Sequence, residues 1–181
     1  MRRWHGLAFV AALACWGPAA AEPASVKTPS GTLRLDMPPG YSMLSDAELS
    51  AKFGRHGRKP LAAWGNAART STVAVTWSRM AQQPLTRERL PQLQSAMEKS
   101  LPLLTPGMVL GETGLVDIGP RQWVRIESTA PALDTQIHNL MLLTDLGGHM
   151  VGVNYNATAA DHAQQEHGFK ASAQTLRVQD D

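Results

Sequence analysis

One cysteine, Cys15, serves a chain of 181 residues, so no disulfide can form within it. Stability must come from an apolar core, and no thiol chemistry is available beyond that one position. Nucleophile-elbow, Walker A and dinucleotide-binding motifs are all absent, which removes the usual signatures of hydrolases and of phosphate or cofactor binding. Long hydrophobic runs are missing too: the apolar stretch from Leu7 to Trp16 falls short of the roughly 20 residues a spanning helix needs. A charge excess is also lacking. The formal net charge is +2, and Arg2 and Arg3 account for it, because residues 22–181 carry 15 basic and 15 acidic side chains. Nothing in that balance favours nucleic acid as a partner.

What is present begins with a secretory layout. Arg2 and Arg3 precede the apolar stretch, and Ala19 and Ala21 flank Ala20 as a small-residue cleavage site. This predicts a signal peptide over residues 1–21 and a mature chain starting at Glu22. The alternative is lipidation of Cys15, preceded by Ala12-Leu13-Ala14; it would tether the same domain to the envelope membrane. Either route places the folded part in the periplasm.

Residues 22–31 (EPASVKTPSG) show no periodicity and read as a flexible lead, with a single domain over 32–181. TLRLDM alternates as a strand and stops at Pro38-Pro39-Gly40. LSDAELSAKFG predicts a helix, with Ser45 and Glu48 as a capping box, Leu44 and Leu49 as a hydrophobic staple, and Gly54 as the stop. Two strands follow, LAAWGN and STVAVTWSRM. Next comes a long helix whose Leu90, Leu93, Met97, Leu101 and Leu104 share one face, with Pro102 at its end. From Met108 the period returns to two, and four strands are punctuated by Gly119-Pro120, residues 131–134 and Gly147-Gly148, as in an antiparallel meander. A last helix opens at Thr158 or Asp161, and TLRV closes the chain. The order gives an α+β fold: an antiparallel sheet with helices packed on it.

Candidate site residues are few. In RQWVRIE, alternation sets Arg121, Trp123, Arg125 and Glu127 on one face, opposite Val124 and Ile126. An exposed tryptophan between arginines is hot-spot composition, so these four form the candidate partner-binding surface; if a helix covers the face, Trp123 is core instead. In DHAQQEH, His162 and Glu166 share a helix face, whereas His167 lies about 140° from His162. A metal site would need His138, His149, His162 or His167 to meet in one pocket, and no catalytic or metal-ligand set is assigned. GRHGRKP, Gly54 to Pro60, is a solvated basic connection able to meet an acidic partner or anionic headgroups. Asn156-Ala157-Thr158 matches a glycosylation sequon but carries no meaning behind a bacterial signal.

The chain resembles the PsbP/DcrB-like proteins. The resemblance rests on LRLDMPPGYSML, the long helix after STVAVTWSRM, GPRQWVRIEST within the meander, and the terminal FKASAQTLRV. It implies an α/β/α sandwich with a six- or seven-stranded antiparallel sheet, and a scaffold that binds other proteins with no cofactor. The expectation is therefore an exported, non-enzymatic periplasmic accessory protein that docks to another envelope protein, with membrane contact only through a lipid anchor. Rival readings are an immunity protein occluding a toxic effector, a small metal-dependent hydrolase, and a lipid- or ligand-binding envelope protein.

Overall fold

In the computed structural model, residues 21–54, 59–132 and 134–180 are described. The expected signal segment with Cys15, and residues 55–58 of the basic connection, lie outside them.

Ten strands and three helices follow one another: β1 (Glu22–Thr28), β2 (Gly31–Met37), β3 (Ser42–Met43), α1 (Asp46–Phe53), β4 (Ala62–Gly65), β5 (Ser71–Ser78), α2 (Leu90–Leu104), β6 (Val109–Ile118), β7 (Arg121–Pro131), β8 (Gln136–Leu146), β9 (His149–Thr158), α3 (Ala159–Gln174) and β10 (Arg177–Asp180). They form a seven-stranded antiparallel sheet ordered β3-β4-β5-β9-β8-β7-β6 and a three-stranded sheet ordered β1-β2-β10. After β5 the chain crosses by α2 to the far edge at β6. The meander then returns strand by strand until β9 pairs with β5. The β8–β9 hairpin turns on Gly147 and Gly148 alone, at φ 57° and 79°, between paired Leu146 and His149. Two consecutive left-handed residues are what a two-residue hairpin of this twist demands, and glycine supplies them without strain.

Side-chain alternation gives the main sheet two buried faces. Val73, Val75, Trp123, Leu142, Val151, Val153 and Tyr155 point to one, where α3 and the small sheet cover them through Phe169, Ala173, Leu33 and Leu35. Val124, Ile126 and Leu143 point to the other, beneath Leu90, Leu93, Met97 and Leu101 of α2. On that second face α1 covers Ala63 and Ala74 at the β4–β5 end.

Two local expectations need correction. Residues 22–28 are not an irregular lead: β1 pairs with β2 along its whole length, from Glu22 opposite Met37 to Thr28 opposite Gly31. An edge strand needs only one buried side chain, here Val26, and tolerates Pro23, so its sequence shows no alternation. Leu104 is 77% exposed although its spacing matches the apolar face of α2; the last turn overhangs the edge of the sheet, where Val109 is also exposed. Gly54 is the C-cap of α1, as expected, with right-handed backbone. The capping box itself is present, with Glu48 N–H donating to Ser45 Oγ and Ser45 N–H donating to Glu48 Oε2.

Candidate functional site

Arg121, Trp123, Arg125 and Glu127 share a face of β7 as expected, but that face is covered. Trp123 is fully buried, packed in the core beneath the small sheet, so it offers no surface to a partner. Arg121 is taken up by the fold: it donates to the Asp145 backbone carbonyl at 3.0 Å and to the carboxylates of Asp145 and Asp180. These bonds tie β7 to the end of β8 and to β10. The candidate surface therefore reduces to its second half, where Arg125 bridges Glu112 at 2.9 Å and Glu127 at 2.5 Å.

That second half opens onto a groove. α3 lies over β8 and β9 and stops short of β6 and β7, leaving two adjoining recesses of about 170 and 220 Å³. Leu140, Leu142, Val116 and Phe169 supply apolar floor and wall. Arg125 and Glu127 enter from β7, and Glu166 and Lys170 from α3, the last two ion-paired at 2.5 Å across one helical turn. The hydrogen bond from Lys170 and its charge lower the Glu166 carboxyl below the usual carboxylate range. The same contact raises the Lys170 ammonium. Glu166 and Lys170 thus hold their charges near neutral pH.

At one end of the groove His138 of β8 stacks on His162 of α3, with ring centroids 4.1 Å apart and planes 23° from parallel. Burial, reinforced by the His162 charge, holds the His138 imidazole below the usual histidine range. Its Nδ1 lies 3.3 Å from the Thr129 hydroxyl. The other two histidines are elsewhere. His149 accepts the Met80 N–H at Nδ1 and sits edge-on to Trp77, and His167 lines a separate recess beside Pro38. Two of the four histidines meet, face to face, a geometry in which their in-plane lone pairs do not converge on one ion. Among the described residues no three His, Cys, Asp or Glu side chains are grouped to hold a metal.

Neither Lys170 nor the apolar floor stood out in the sequence. The i, i+4 pair of Glu166 and Lys170 around Phe169 is the one local signal that this helix face borders a recess. α3 opens at Thr158, one of the two expected starts; Asp161, the other, accepts a hydrogen bond from the Thr70 hydroxyl and anchors the first turn to the residue before β5. Among the described residues no helix is long and apolar enough to cross a membrane.

No protein-family model matches the chain, and no characterised protein matches it in sequence. Among solved structures it is similar to cyanobacterial PsbP (CyanoP) from Synechocystis sp. PCC 6803, with 14% identity and a TM-score of 0.62 over 91% of this chain and 97% of that one. It is also similar to LpqN of Mycobacterium tuberculosis, a protein involved in cell envelope biogenesis, with 9% identity and a TM-score of 0.59 over 86% and 90% of the two chains. The fold is the PsbP-like α+β sandwich that the resemblance implied.

Proposed function

We propose that this chain is an exported, non-enzymatic accessory protein of the bacterial envelope, and that it acts by docking another protein into the groove beside α3. The groove itself carries the reading. Its apolar floor is flanked by Arg125, Glu127, Glu166 and Lys170, a rim of both signs suited to orienting a protein partner rather than a simple ion. Its small volume suits a few inserted side chains better than a lipid. The secretory layout of residues 1–21 and the involvement of LpqN, a protein of like fold, in envelope biogenesis support the compartment.

The test is site-specific photo-crosslinking in the native envelope, with the crosslinker placed at Lys170 and, as a control, at exposed Gln92 on α2. A single protein captured from position 170 and not from 92 is expected, with capture lost on reversing the neighbouring rim charge by Arg125→Glu. Equal capture from both positions, or none from 170 while a known envelope pair is captured, overturns the assignment. A captured toxin would turn the docking role into that of an immunity protein.

A further inference from the structure

The other face of the main sheet has an unusual centre. Residues facing a helical layer from a central strand are ordinarily apolar, as Met141 and Leu143 are where α2 covers them. One register row further along, the face turns polar: Thr72 of β5 pairs with Asn156 of β9, Asn156 with Asn139 of β8, and Asn139 with Ser128 of β7. Here α1 has ended on one side and α2 on the other, and an open cleft of about 630 Å³ lies between Phe53 and Met108. Thr72, Asn139 and Asn156 form its floor, and Ile137 adds apolar surface.

Two polar atoms on this face are unspent. Thr72 is buried, and its Oγ1 has no hydrogen-bond partner among the described residues; the same holds for Oδ1 of Asn154, next along β9 from Asn156. Groups left so are a standing cost to the fold, and a fold that only needed stability would have valine at position 72. Among the described residues Lys52 is the one ionisable side chain lining the cleft, and its ammonium already donates to the Arg69 carbonyl at 2.9 Å.

We propose that this cleft is a second binding site, and that its ligand is an uncharged stretch of extended polypeptide laid across the sheet. A carboxamide offers the same donor and acceptor as a peptide group: Asn156 can pair with backbone through both, whereas Asn139 already donates to the Ile137 carbonyl and the Ser128 hydroxyl and offers its Oδ1 as acceptor. Neighbouring strands lie about 4.8 Å apart, so the floor from Thr72 to Asn139 spans roughly 10 Å, the length of about three extended residues. Phe53, Met108 and Ile137 then receive apolar side chains, and among the described lining residues no free charge is offered to a charged segment. The site is on the face away from α3 and does not depend on the groove proposed above.

The chain starting at Glu22 is titrated with a capped, uncharged pentapeptide alternating valine and serine, read by isothermal calorimetry and by the side-chain amide NMR signals of Asn139 and Asn156. Binding with shifts at both amides is expected, weakened on the order of tenfold by Thr72→Val with no fall in the thermal midpoint. The milder Asn156→Ser weakens it as well, whereas Lys170→Ala, on the far face, does not. No binding up to about 1 mM, or preference for a lysine-bearing version or for an N-acetylglucosamine trimer, overturns the proposal. So does equal binding by the wild-type chain and Thr72→Val.

Discussion

Trp123 and His138 show how one face of a sheet divides between packing and chemistry. Trp123 is fully buried in the core that the main sheet shares with the small one. Trp123→Ala is expected to cost about 3–5 kcal/mol, measured by urea denaturation, and to abolish partner capture through unfolding rather than through a lost contact. His138 makes a pH-dependent contribution whose sign is fixed by its environment. Its folded pKa lies below the unfolded value of about 6.5, so the unfolded chain takes up the proton first. Stability is full above that value and is lost as pH falls through it. The thermal midpoint of His138→Gln should therefore fall less between about pH 7 and pH 5 than that of wild type. Equal slopes would remove the His138–His162 stack from the account.

Elements differ in how plainly residues announce them. The meander β6–β9 was readable because two of its three turns carry glycine at positions of positive φ and its strands alternate. The start of α1 was readable because Ser45 and Glu48 satisfy each other's backbone at the first turn. Ser45→Ala should cost about 1 kcal/mol and raise amide exchange through Asp46–Phe53, with smaller change elsewhere, since α1 has no fully buried residue to hold it otherwise. β1 was not readable: its hydrogen bonds are supplied by β2, and a single buried valine leaves no pattern. The groove was not readable either. It exists because α3 crosses β8 and leaves the far strands open, and no spacing reveals that His138 meets His162. The polar floor of the opposite cleft left a faint trace in VGVNYNA, where asparagines alternate with core residues of a central strand.

At the scale of the whole molecule, one sheet belongs to every part of the core. β9 joins β5 to the meander, and its side chains on one face meet α3 while β8 and β7 carry α2 on the other. Loss of either layer exposes strands that the other layer needs. The chain starting at Glu22 should accordingly unfold in urea as one transition, with tryptophan fluorescence, to which Trp64, Trp77 and Trp123 contribute, coinciding with circular dichroism, which counts α2 as well. Separate midpoints would mean that the two layers fold independently.

The hairpin of β1 and β2 gives the amino-terminal end a mechanical character. β1 enters at the open end of the hairpin, so a pull on Glu22 loads its ladder one rung at a time and peels it instead of shearing all rungs together. Peeling its seven residues pays out about 24 Å of extended chain. Val26 is the one side chain it drags from cover. A body held from that end would carry its own slack, released under load and rewound when the load is gone.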